Sequence, residues 1–346
     1  MRRRDVLPAL AGLAALPLLP ALGRVPAAGT DAAEAAYPSY QPARQVSGRL
    51  RTWGHGSRNA SYAGGLVAAW EAGFRQYHPG VSFQTILRGT STGIGGLYTE
   101  AADFALMTRD PIGIELDAYL PIFKHPPFAV QVATGSLAGA NRNPAMAAFV
   151  HPSNPLARMT LADLDAVLGA DHRRGPRNIR RWGELGLEGE WRERPIALYI
   201  PEIAGEDAQY LERSVMQGSQ KWNGDLREFP QQAGSQPILD ALAADRWGLA
   251  VAAMPPQPRG VKPLALSATP QLAYVQPTVA SVADRSYPLT RHLQMMLVRA
   301  PGQPLPSLQA EYLRYILSAQ GQAAVARDGQ YLPLPPALAS QQWSTV

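Results

Sequence analysis

Val81-Ser82-Phe83-Gln84-Thr85-Ile86-Leu87-Arg88-Gly89-Thr90-Ser91-Thr92-Gly93-Ile94-Gly95-Gly96 decides the fold class. An apolar, β-favouring run ends in a glycine turn with three hydroxyls, and a helical pattern follows. Glycine lets the backbone approach a ligand closely. Free amides at the turn, with hydroxyls beside them, form a candidate anion site. Trp53-Gly54-His55-Gly56-Ser57-Arg58-Asn59 precedes another helical pattern in the same way, and Thr108-Arg109 follows the apolar run Phe104–Met107. Three such turns on one sheet edge would line a cleft at the carboxyl ends of the strands.

The same alternation runs through the chain. Strands are predicted at Val81–Leu87, Phe104–Met107, Ala129–Ala133, Met146–Val150, Pro195–Ile200, Gly248–Ala253 and Leu293–Val298. The central ones are almost wholly apolar, as strands covered on both faces are. Between them lie helical patterns. Leu66, Trp70, Phe74 and Tyr77 share one face; Thr160 with Asp163 forms a capping box before Leu161, Leu164 and Leu168; Ser235 opens a helix carrying Pro237; and a last helix around Leu308–Ile316 closes before Gly329. This is an α/β chain, with largely parallel pairing expected.

Composition narrows the function. The 346 residues are 46% hydrophobic and contain no cysteine, which excludes disulfides, thiolate metal sites and thiol nucleophiles. Formal charge is +5, but Arg2, Arg3, Arg4 and Arg24 against Asp5 put +3 of it in the first 24 residues. The small remainder gives no footprint for nucleic acid. The arginines precede an uncharged run, Val6 to Leu22, interrupted by Pro8, Pro17 and Pro20. Basic start, short apolar core and small residues near Val25-Pro26-Ala27 read as an export signal over 1–27. Arg3-Arg4-Asp5-Val6-Leu7 resembles a twin-arginine pattern, with a Sec signal as the alternative. The mature protein is then expected in the periplasm or outside the cell, with residues 28–45 as a flexible lead-in.

One catalytic reading competes with binding. Gly89-Thr90-Ser91-Thr92-Gly93 matches the nucleophile elbow of α/β-hydrolases, with Asp240 or Asp284 and then His292 in the required order. The six histidines show no metal spacing. Neither P-loop nor GxGxxG occurs, so no nucleotide cofactor is expected. The arginine-rich run 171–181 reads as a solvated loop, with docking to an acidic surface as the alternative.

An ordered set of segments resembles the periplasmic phosphate-binding proteins of ABC transporters. It comprises Gly56-Ser57, Trp70, Phe74 and His78-Pro79-Gly80-Val81; Gly89-Thr90-Ser91-Thr92-Gly93-Ile94; Ala102-Asp103-Phe104-Ala105-Leu106-Met107-Thr108-Arg109; Val150-His151-Pro152; Arg181-Trp182-Gly183-Glu184-Leu185; and Asp328-Gly329-Gln330-Tyr331-Leu332-Pro333. The resemblance covers about residues 48–335. It implies a two-lobed type II fold with two crossover strands as hinge, 46–128 plus 256–346 forming one lobe and 129–255 the other. It implies a non-enzymatic, monomeric protein that binds a phosphate-like or other small anion between the lobes and hands it to membrane transporter subunits. Gly56, Ser57, Asn59, Thr90, Ser91, Thr92, Thr108 and Arg109 are the ligand residues it implies. The second lobe departs from the pattern. Pro201 stands at the usual arginine position, and Gly205, Glu206 and Asp207 replace Ser-Gly-Thr. Acidic residues at a helix start complement its dipole, so these carboxylates are expected to cap the helix and face solvent. Three ligand readings stay open: a larger anion held by Arg58, Arg109 or His55, a cationic or neutral solute, and a degenerate member acting as a secreted or envelope interaction protein.

Overall fold

The structure is a computed structural model and describes residues 37–56, 63–137 and 143–346. The apolar runs assemble two five-stranded sheets. The first contains β1 (Gly48–Gly54), β2 (Val81–Leu87), β3 (Phe104–Met107), β4 (Phe128–Thr134) and β12 (His292–Leu297), in the order β2-β1-β3-β12-β4. The second contains β5 (Met146–Val150), β7 (Ala197–Pro201), β8 (Leu226–Phe229), β9 (Gly248–Ala253) and β10 (Lys262–Pro263), in the order β10-β5-β9-β7-β8. A small pair joins β6 (Arg158–Thr160) to β11 (Ala265–Ser267).

Pairing is more mixed than the alternation predicts. β1 runs parallel to β2 and β3, and β7 parallel to β8 and β9. β12 is antiparallel to both neighbours, and β5 is antiparallel to β9 and β10. Periodicity reports burial, and strand direction comes from connections between distant segments.

Helices cover the first sheet on both faces. On one face α1 (Gly64–Tyr77) buries Leu66, Trp70 and Phe74 against Leu50, Phe104 and Tyr312. The other face carries α2 (Gly93–Tyr98) and α3 (Gly113–Phe123), with Ile94, Leu97 and Tyr119 packed on Ala105 and Met107. The last predicted helix is two, α6 (Ser307–Leu317) and α7 (Ala319–Asp328). Ser318 is extended between them, and its hydroxyl accepts from Gly321 N at 3.3 Å. In the second sheet's layer, Thr160 and Asp163 form the predicted reciprocal cap of α4 (Leu161–Leu168).

Two boundaries differ from the sequence reading. Residues 37–45 are not a free lead-in. Tyr40 is buried, donates to Glu311 Oε2 at 2.7 Å and lies 2.7 Å from His78 Nε2, while Val46 N donates to His78 Nδ1. Tyr40→Phe should cost about 2 kcal/mol in urea denaturation, because it strips a hydrogen bond from a buried carboxylate. An unchanged midpoint would refute that role. The lobe boundary also moves. β4 belongs to the first sheet through Thr134, whereas Met254, Val261, Leu264, Tyr287 and Leu289 pack in the second core. The proline-rich stretch after Met254 is a loop inside the second lobe, since β10 returns to pair with β5. The chain therefore crosses at Gly135 and again at Thr290–Arg291, where Gly135 N donates to Arg291 O at 2.8 Å.

The arginine-rich run caps its own lobe. Arg174 donates to the carbonyls of Ser214 and Val215, and Arg180 to those of Ala166 and Val167. Arg173, Arg177 and Arg181 pair with Asp171, Asp163 and Glu193.

Candidate functional site in the interlobe cleft

The three glycine-bearing turns converge as their order predicts. β1 ends at Gly54, whose φ of +134° and approach to Leu106 demand glycine: a Cβ there would stand 2.1 Å from Leu106 O. His55 N then donates to Leu106 O at 2.8 Å, and Arg88 N and Gly89 N both donate to Gly54 O. This lacing brings His55, Thr90 and Thr108 together at the carboxyl ends of β1, β2 and β3. Thr90 Oγ1 lies 2.9 Å from Thr108 Oγ1 and 3.3 Å from His55 Nδ1. His55 Nε2 lies 2.9 Å from the Tyr331 hydroxyl. All three residues are buried. Burial first, and the Arg291 charge second, depress the His55 pKa to about 3, so its ring is neutral at pH 7.

The opposite wall comes from the second lobe. β7 ends on Pro201, the chain turns through Gly205, and α5 (Glu206–Ser214) begins. The sequence reading placed Glu206 and Asp207 in solvent, and the structure corrects it. Glu206 Oε2 lies 3.4 Å from Thr90 Oγ1 across the cleft, a long contact, and Asp207 Oδ1 accepts from Arg291 Nη1. Tyr210 donates to Thr290 O at 3.2 Å, and its ring lies 5.1 Å from the Arg291 guanidinium. The start of α5 points at the crossing strand rather than outward, which dipole rules cannot reveal.

A family model described as the PBP superfamily domain matches residues 55–320, more than three quarters of the chain. The chain belongs to this family. It is 29% identical over 323 residues to phosphate-binding protein PstS of Pseudomonas aeruginosa, covering 91% of this chain and 94% of the relative. An ABC-type phosphate transport receptor from Vibrio cholerae superposes with a TM-score of 0.54 at 14% identity, over 83% of this chain and all of that one. PstS from Borrelia burgdorferi gives 0.54 at 12% identity, over 83% and 99%. The two sheets are the two lobes of the type II fold of PBP proteins.

Within this PBP frame the remaining predicted residues fall in different places. Arg109 is buried, but its terminal nitrogens grip Glu115 at 2.8 and 2.9 Å, at the first turn of α3. Thr92 Oγ1 donates to Gly89 O at 2.9 Å inside its own turn, and Ser91 is exposed. Gly56 sits at φ +131° against Leu87. Ser57, Arg58 and Asn59 lie outside the described residues. The hydrolase arrangement does not assemble: Asp284 caps Ser286 N, Asp240 accepts from Gln236, and no hydrogen bond joins either to Ser91 or His292 among the described residues. Those residues also hold no group of three metal-ligating side chains and no helix long and apolar enough to cross a membrane. Arg291 went unnoticed in the sequence, where it is a lone arginine before a strand.

Proposed function

We propose that this PBP-family chain is the exported solute-binding component of a membrane transporter and takes a phosphate-like small anion between its lobes. The observation that carries this reading is the buried Thr90–Thr108 hydroxyl pair facing the Glu206 carboxylate across the cleft. The relatives' names, phosphate-binding protein and phosphate transport receptor, supply the class of solute. Hydroxyls donate to an oxyanion. The carboxylate accepts a hydrogen bond from an oxyanion that carries a proton, as phosphate does at neutral pH and its monoesters do below about pH 6, and repels one that carries none, such as sulfate. Gly56, Ser91 and Thr92 belong to the first-lobe rim in this reading, Ser57 and Asn59 are kept as ligand residues on their sequence pattern alone, and Arg109, answered by Glu115, braces the rim. The solute links the lobes, so it favours the closed state. The basic, apolar start supports export to the periplasm or the cell exterior, and the reading takes the protein as a monomer.

Thermal unfolding of the mature protein tests this. A solute at about 100-fold its dissociation constant adds about 2.7 kcal/mol, a shift of several degrees. Phosphate and a phosphomonoester should give that shift, and sulfate should not. No shift with either phosphate compound would refute the reading.

A further inference from the structure

The guanidinium of Arg291 is held but not saturated. Its side chain is 4% exposed, and Nη1 is taken by Asp207. Nε is buried without a hydrogen-bond partner, and Nη2 makes no hydrogen bond among the described residues. A buried, unpaired guanidinium N–H is costly, and native proteins rarely keep one without a use. The geometry fixes its aim from three sides. The Tyr210 ring lies against the group, Asp207 grips one terminal nitrogen, and the backbone of residue 291 is tied to Gly135. The charge reaches the hydroxyl cluster, since it is felt at His55, which contacts Thr90.

We propose that the Nε–Nη2 edge of Arg291 is the oxyanion-binding fork of the cleft, with Asp207 as the positioning residue that turns this edge toward the solute. This rests on the solute-binding reading above. A guanidinium edge presents two parallel N–H groups, the geometry that matches two oxygens of a phosphate. The fork enters from the crossing strand, so the turn after β7 can carry Pro201, which offers no side-chain donor, and still leave the cleft with a cation. Arg291 stands where the chain crosses between the lobes, and its side chain grips Asp207 and Tyr210 of the second lobe, so a solute held by the fork and by the first-lobe hydroxyls would couple capture to closure.

The test is the affinity for inorganic phosphate, measured by calorimetry on the mature wild-type chain and on Arg291→Lys, with phosphate-free melting as the folding control. Lysine keeps the charge and loses the fork. The expected result is phosphate affinity lowered about 30-fold with melting close to wild type, from the loss of a charge-assisted hydrogen bond. A crystal structure of the wild-type chain with phosphate gives a second reading that does not depend on the variant folding. It should place a phosphate oxygen within hydrogen-bonding distance of Arg291 Nε. Unchanged affinity in Arg291→Lys, or a phosphate seated away from Nε, would overturn the fork and leave the solute-binding reading standing. No binding of phosphate by the wild-type chain would overturn the fork as stated, and no binding of a phosphomonoester either would overturn the solute-binding reading as well.

Discussion

Gly135→Ala should destabilise the protein by about 3 kcal/mol and lower its melting temperature by about 5 °C. Gly135 is the first residue beyond β4, where the chain leaves the first lobe. A Cβ there would stand 2.3 Å from Asn143 O and 3.0 Å from Arg291 O. Both neighbours are backbone, so no rotamer change relieves the contact. The two crossings must spread, and the 2.8 Å hydrogen bond from Gly135 N to Arg291 O goes with them. Gly113→Ala is the control. Nothing lies within 4 Å of a Cβ at Gly113, on the first turn of α3, and its φ is not positive. Alanine there should be neutral or stabilising by up to about 1 kcal/mol. The two urea midpoints should therefore move in opposite directions, or one should move alone. Equal midpoints for wild type and Gly135→Ala would show that the crossings are not tightly packed. The same substitution should also weaken solute binding, because it displaces the strand that carries Arg291.

What the sequence discloses follows from the range of each interaction. Strands such as Phe104–Met107 and Met146–Val150 are legible because burial on both faces leaves a continuous apolar run. The Thr160–Asp163 cap is legible because both partners lie within one turn. The interior strand β1 lacks such a run, because Gly48-Arg49-Leu50-Arg51-Thr52-Trp53-Gly54 alternates charge with apolar residues. Arg51 is absorbed by Asp103, a residue on another element, through hydrogen bonds of 2.8 and 3.1 Å. In the cleft, the glycine turns announce Thr90 and Thr108 locally. The second wall depends on partners far apart in the chain. Nothing near Arg291 signals that Asp207 and Tyr210 will bury it, and nothing near Glu206 says which way the start of α5 points. The prolines after Met254 imitate a domain boundary because a surface loop and a linker have the same composition; only the return of β10 to β5 separates the two cases.

Acid should unfold this protein well before its carboxylates are all protonated. Two histidines at the meeting of the lobes are held neutral by burial. The His55 pKa lies at about 3, and that of His292 at about 4, with Arg285 adding to the effect of burial at the latter. In the unfolded chain both return to the ordinary value of about 6.5. The folded values lie below the unfolded ones, so the unfolded state takes up protons first as the pH falls. The stability they contribute is complete above about pH 6.5 and is lost downward through the window to about pH 4 for His292 and about pH 3 for His55. By pH 4 each should cost about 3 kcal/mol, at 1.36 kcal/mol per unit of separation. Glu71 and Glu212 act in the opposite sense. Burial raises their pKa, so the folded state binds their protons first and regains part of the loss near the carboxylate range. Urea denaturation at pH 7, 5.5 and 4.5 should therefore show a steep decline beginning below pH 6.5. His292→Asn should flatten the upper part of that decline, and His55→Asn should do the same while loosening Thr90. Equal stability at pH 7 and 4.5 would mean that the two rings are hydrated in solution, and that the lobes do not close over Thr90 as the Glu206 contact requires.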